Sequence, residues 1–258
     1  MKKIFKRIVI KVGTNIITNS DGHLNLGVIQ DLVNQINELR KINIEVILVT
    51  SGAMGAGRSI ITLKQTTDPV AIRQVLAAVG QVKLIKTYND LLSEYGLISA
   101  QIMATKEDFR DKTHYGNMKS CLEAILKEGV LPIVNENDVV AVTELMFTDN
   151  DELSSLIAKM VKADSLFLLT NVDGIYTGNP QDANSRLIKS VDIDKDNIRQ
   201  YISEEKSEFG RGGMLSKAEM AYTVAKSGIN VYIANGRKEK VVLSIINGED
   251  IGTTFLAK

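Results

Sequence analysis

Apolar positions along the chain follow two rhythms. Short runs with little polar interruption occupy Arg7–Val12 (RIVIKV) and Glu45–Val49 (EVILV), and recur at 98–104, 131–134, 165–169 and 230–234. Runs of this length and composition predict strands buried on both faces. Between them the apolar spacing changes to three and four residues. Val28, Ile29, Leu32, Val33, Ile36 and Leu39 mark one predicted helix, and Ile72, Leu76, Val79, Val82, Ile85 and Leu92 a longer one. Asp68-Pro69 supplies a cap and a first helical residue for the second. Further helices are predicted near 117–127, 152–161, 215–227 and 239–246.

Strands alternating with helices predict an α/β fold, with a mostly parallel sheet sandwiched between helices. No repeat, low-complexity tract or Pro/Gly/Ser linker divides the chain, and the stretch 162–165 reads as an ordinary helix-to-strand turn. The expectation is therefore a single domain of two lobes on one continuous sheet. With 258 residues, 44% apolar and 24% charged, the chain can bury a large core. Lys and Arg number 31, as do Asp and Glu, so the formal net charge is zero. That balance argues against a role in coating nucleic acid or an acidic membrane. One cysteine, Cys121, excludes an internal disulfide framework, and two histidines far apart, His23 and His114, make a His-based zinc site implausible. A reducing, cytoplasmic setting fits this usage. Lys6, Arg7 and Lys11 interrupt what would otherwise resemble a signal peptide, and no apolar run approaches the roughly 18 residues of a membrane span.

Ligands of open α/β sheets bind beyond the carboxyl ends of the strands. Five of the predicted strands end in groups suited to chemistry: Lys11-Val12-Gly13-Thr14-Asn15, Thr50-Ser51-Gly52-Ala53, Asn135-Glu136-Asn137-Asp138, Thr170-Asn171 and Asn235-Gly236. Lys11 reads either as a charge ending a strand or as a phosphate-contacting ammonium beside backbone N–H groups. Its apolar neighbours favour the second, because an unpaired buried charge is costly. TSGAMGAG (50–57) matches neither common glycine-rich nucleotide motif, and reads as a tight turn or a ligand loop. The polar group 135–138 reads as a solvated turn or a pocket for a dipolar substrate. Thr148-Asp149-Asn150-Asp151-Glu152 reads as a helix cap or as a source of a metal-organising carboxylate. Gly210-Arg211-Gly212-Gly213-Met214-Leu215-Ser216-Lys217 runs into a predicted helix, and reads as a surface loop or an anion site. His23 and His114 are expected on surface loops, Cys121 in the core, and Tyr88, Tyr95 and Met103 as packing residues.

Taken together, IKVGTN (10–15), VTSGAMGAGR (49–58), QVLAAVGQ (74–81), LPIVNENDVVA (131–141), DNDELS (149–154), LLTNVDGIYTGNP (168–180) and GRGGMLSKAEMA (210–221) resemble the amino acid kinase family. Within it the resemblance is to members that phosphorylate the side-chain carboxylate of glutamate at the start of proline synthesis. The resemblance implies an αβα three-layer sandwich, with an amino-acid lobe over about 1–164 and a nucleotide lobe over about 165–258. It implies catalytic roles for Lys11, Lys217 and Asp151, the aspartate orienting the two lysines. Ser51, Gly52, Asn135, Asp138 and Asn150 would hold L-glutamate. Lys11, Thr170, Asn171, Arg211, Gly212, Gly213, Met214, Leu215, Ser216 and Lys217 would line the ATP site. Asp149 and Asp151 would be the carboxylates nearest Mg2+. It further implies feedback by proline, a homo-oligomer of two or four chains, and a downstream reductase that takes up the product.

The chain departs from the family pattern at Asn171, where an aspartate is common, and at Arg211, Thr148 and Ser155, where Thr, Gly and Ala are usual. Many bacterial relatives carry a further C-terminal PUA domain, expected to be absent here because the sequence stops just past the kinase unit. Other family substrates (acetylglutamate, aspartate, carbamate, a nucleoside monophosphate) remain open, as does a sensor without turnover. An acidic residue such as Asp138 favours an unblocked α-ammonium.

Overall fold

The computed structural model describes residues 5–142, 146–147, 149–182, 184–194 and 213–257. Among these, eight strands form one sheet in the order β3-β4-β2-β1-β5-β7-β8-β6. The strands are β1 (Arg7–Val12), β2 (Glu45–Val49), β3 (Ser99–Ala104), β4 (Leu131–Glu136), β5 (Ser165–Thr170), β6 (Ser190–Val191), β7 (Asn230–Asn235) and β8 (Thr253–Phe255). All neighbours pair in parallel except β7 and β8. The single mixed sheet bears out the expected α/β architecture. The two short strands β6 and β8, which lack a readable apolar rhythm, are additions to it.

The helices lie on both faces. They are α1 (Thr14–Ile17), α2 (Leu26–Lys41), α3 (Ala53–Arg58), α4 (Pro69–Ser93), α5 (Glu107–Arg110), α6 (Lys112–Lys127), α7 (Asn150–Met160), α8 (Met214–Ala225) and α9 (Val241–Ile246). Strand side chains alternate between faces. Ile8, Ile10 and Val12 pack with α2, α4 and α9, whereas Val9 packs with α6, α7 and α8. Lys11 shares the side of Val9. Its register, opposite Val49 on one neighbour and Leu168 on the other, puts it at the carboxyl edge of the sheet's centre.

Local chemistry sets the helix starts. Asp68 Oδ2 accepts the Ala71 N–H at 2.7 Å, with Pro69 in the first turn, as the sequence predicts for α4. Asp111 Oδ1 likewise caps the His114 N–H at 2.8 Å. That cap starts α6 several residues before its apolar spacing begins, so His114 lies on a helix and not on a loop. Cys121, expected in the core, is exposed on the same helix, and Tyr95 is also exposed; Tyr88 is fully buried. No helix among the described residues is long and apolar enough to cross a membrane.

The glycine-rich stretch after β2 is the largest departure. It forms a helix, α3, despite the poor propensity of Gly55 and Gly57, because α3 and α4 pack backbone to backbone. A Cβ on Gly80 would sit 1.7 Å from Ala53 O, and one on Gly57 would sit 2.0 Å from Leu76 O. Gly80→Ala should therefore lower unfolding free energy by about 2 kcal/mol or more, as overpacking against an immovable backbone does. Gly116→Ala, on exposed α6 with open space around it, should raise it by about 0.5–1 kcal/mol. Urea titration of the two variants beside the parent checks both signs.

Candidate active site

The carboxyl edge of the sheet brings together groups spread over most of the chain. Asp151, in the first turn of α7 and without exposed surface, holds Lys11 Nζ at 2.6 Å through Oδ1 and Lys217 Nζ at 2.8 Å through Oδ2. Lys11 reaches it from the end of β1, and Lys217 from the first turn of α8. Burial by itself would push the Asp151 carboxyl up, yet the two ammonium groups hold it at about 2. Burial would lower the Lys217 ammonium, but Asp151 and then Asp149 outweigh it and raise its pKa. The cluster thus sets two lysine side chains against a single carboxylate.

Asp149 begins α7 as its N-cap. Its Oδ1 accepts the N–H groups of Asp151 at 3.0 Å and Glu152 at 3.1 Å. Its Oδ2 is buried without a hydrogen-bond partner, and burial, then repulsion from Asp151, raises its pKa. Asn150, between the two aspartates, belongs to a neutral network. Its Nδ2 lies 2.6 Å from Thr50 O, 2.9 Å from Ser51 Oγ and 2.9 Å from Asn135 Oδ1. Thr50 Oγ1 in turn lies 3.1 Å from the hydroxyl of Tyr88, whose pKa burial pushes up beyond the ordinary phenol range.

Ser51 and Gly52 form the turn from β2 into α3. Gly52 has φ 93°, and a Cβ there would meet Ile17 Cδ1 at 2.8 Å, so both conformation and space require glycine. Asp138 lies just past β4, 3.4 Å from the Arg73 guanidinium of α4. Arg73 also donates to Ala141 O at 2.7 Å, and Gln74 to Val139 O at 2.6 Å, so α4 fastens the segment carrying Asp138.

On the other side of Lys11, Thr170 ends β5 buried, opposite Asn235 of β7, and Asn171 is exposed beyond it. Asp173 accepts from Asn235 Nδ2 at 3.0 Å and from Lys238 Nζ at 2.7 Å. The second contact, then the first, lowers its pKa. Gly213 caps α8 without a side-chain hydrogen bond, placing Met214, Leu215, Ser216 and Lys217 in its first turn. Arg211 and Gly212 lie outside the described residues.

The described sequence-predicted residues thus fall on one edge of the sheet, in two groups flanking Lys11. Sequence reasoning left Gln81, Arg73, Asp173 and Lys238 without roles. Gln81 did leave a trace, as a polar residue on a helix face otherwise made of Leu76, Ala77, Gly80, Leu84 and Tyr88. As a metal centre the site is poor in donors. No group of three metal-ligating side chains occurs among the described residues. Asp151 faces two lysines, and Asp149 offers one unpartnered oxygen.

Comparison with known proteins identifies the setting. The family model described as the amino acid kinase family matches residues 6–235. The chain is 49% identical over 255 residues to a glutamate 5-kinase of Chlorobaculum tepidum, covering 99% of this chain and 70% of the relative. It is 41% identical to a glutamate 5-kinase of Clostridium acetobutylicum, covering 98% of this chain and 95% of the relative. Among solved structures, an isopentenyl phosphate kinase in complex with its substrate superposes with a TM-score of 0.70 at 22% identity, covering 97% of this chain and all of that one. UMP kinase from Bacillus anthracis does so with 0.64 at 17% identity, covering 98% and 97%. The solved structures share the fold, the family model spans most of the sequence, and the chain belongs to the amino acid kinase family.

Proposed function

We propose that this protein transfers the γ-phosphoryl group of ATP to the side-chain carboxylate of L-glutamate, giving γ-glutamyl phosphate and ADP at the start of proline biosynthesis. The observation that carries the reading is the buried Asp151 holding two lysines from separate elements at the open edge of the sheet. A carboxylate oxygen attacks the γ-phosphorus, a P–O bond forms, and the bond to the β–γ bridging oxygen breaks. The nucleophile is already ionised at neutral pH, so no general base is needed. The obstacle is repulsion between two anions, which paired lysines offset while stabilising charge on the transferring group.

In this reading Lys11 and Lys217 contact the phosphoryl group as it moves, and Asp151 keeps both ammonium groups aimed and charged. Ser51, Gly52, Asn135, Asn150 and Asp138 hold the amino acid, with Asp138 taking its α-ammonium. Thr170, Asn171, Gly213 and the first turn of α8 hold ATP, with Arg211 and Gly212 as further nucleotide contacts. The amino-acid lobe then spans about 1–164 and the nucleotide lobe about 165–258. Mg2+ would neutralise charge on the phosphates. The donor set does not fit a resident magnesium site, so the ion is assigned to the nucleotide and no step is routed through it. The reading also carries proline as feedback inhibitor, a homo-oligomer, a cytoplasmic location, and a reductase that consumes the easily hydrolysed acyl phosphate.

Hydroxylamine trapping tests the chemistry directly. With ATP and magnesium, hydroxamate should form with free glutamate and not with acetylglutamate or aspartate; product from another acid would move the specificity, and none from any would sink the reading. Asp151→Asn should lower kcat by about 100-fold or more. Without the anion, burial lowers the Lys217 pKa, so the residual rate should fall as pH rises through the new lysine pKa, while the parent holds its rate there. Steady-state rates between pH 6 and 10 read both effects. Asp138→Asn should raise KM for glutamate about 10–100-fold and leave kcat within about threefold, as expected for lost ground-state binding. A fall in kcat alone would remove the ammonium contact.

A further inference from the structure

A cavity of about 630 Å³ opens between α4 and the segment that follows β4. Much of its wall is apolar, from Ala53, Ala77, Val82, Ile85 and Met103, and both Gln81 and Asp138 line it. Gln81 is only 9% exposed. An amide in that setting is costly unless both of its ends are used. Its Oε1 is used, accepting from Asn135 Nδ2 at 2.9 Å. Its Nε2 is buried and has no hydrogen-bond partner.

The surrounding bonds dictate this orientation. The Glu136 N–H donates to Asn135 Oδ1 at 2.9 Å, and Asn150 Nδ2 donates to the same oxygen at 2.9 Å. Asn135 must therefore turn its own N–H groups toward Gln81, and Gln81 must answer with its oxygen. Both Nε2 hydrogens are left without an acceptor, on a side chain that borders the cavity. Asn135 and Gln81 lie on the α4 side of the sheet, whereas the lysines lie on the α7 and α8 side. Gln81 is thus placed to serve the end of a substrate remote from the reacting carboxylate.

We infer that Gln81 binds substrate, its Nε2 donating to the α-carboxylate of the amino acid whose α-ammonium pairs with Asp138 across the same cavity. The inference rests on the proposed function and deepens it, by assigning each polar end of the substrate's backbone to a separate side chain. The apolar wall accommodates the two methylenes that separate the α-carbon from the reacting carboxylate, and the amide supplies neutral donors that leave the negative charge to the lysines.

Gln81→Glu keeps an acceptor facing Asn135 and removes the donors. KM for glutamate should rise at least about 30-fold, with kcat and KM for ATP within about threefold, as expected for loss of a hydrogen bond to a charged group. 4-Aminobutyrate, which has the reacting carboxylate but no α-carboxylate, should be used by the variant within about threefold as well as by the parent. Should Gln81→Glu fail to fold, Gln81→Met is read by the same comparison of two substrates. A glutamate KM within about twofold of the parent's, or an equal loss with both substrates, would overturn the inference and leave the proposed function standing. A parent protein that yields product with no acid would overturn the proposed function, and this inference with it.

Discussion

Everything at this site hangs on the first turn of α7, where three consecutive residues face three different demands. Asp149 caps the helix, Asn150 bonds to Thr50, Ser51 and Asn135, and Asp151 takes Lys11 and Lys217. Successive helical residues point about 100° apart, so one turn can address separate networks with little slack between them. The amino-acid side and the phosphoryl side of the site are thereby registered against each other by a single rigid element.

The charge at the centre is expensive to bury, and its arrangement follows from that cost. Two ammonium groups without an anion would repel each other and lose hydration; one carboxylate between them offsets both effects and leaves a net positive charge. Such a cluster is suited to receiving a triphosphate and a second anion. The sheet makes it possible by placing β1 between β2 and β5, so that Lys11 stands at the centre of the edge with α7 and α8 above the same face. The neutral network occupies the other side, where α3 and α4 approach so closely that Gly57 and Gly80 have no space for a side chain. Close packing there brings Ala53, at the start of α3, and Gln81 to a common wall.

Much of this was legible in the order of residues. The six longer strands, the main helices and the cap at Asp68 follow from periodicity, because burial on one or both faces leaves a repeat in composition. Lys11 stood out because a charge inside an apolar run needs a reason to be there, whereas the roles of Asp138, Asp151 and Lys217 came from the family resemblance. Where periodicity was missing, the reading failed. The strands β6 and β8 are too short to show alternation, α3 is a helix made of poor helix formers, and α6 begins at a cap and not at an apolar residue.

The sequence by itself determined the fold class, the parallel edge and the family, since these depend on local rhythm and on motifs in a particular order. Only tertiary structure decided that Lys11, Asp151 and Lys217 form one charged unit, that Asn150 reaches Ser51 and Asn135, and that Gln81 is left with unpartnered donors. Those facts depend on which side of the sheet each side chain faces and on distances of a few ångströms between residues far apart in the chain. A linear pattern records the burial of a residue, but not the partner that burial requires.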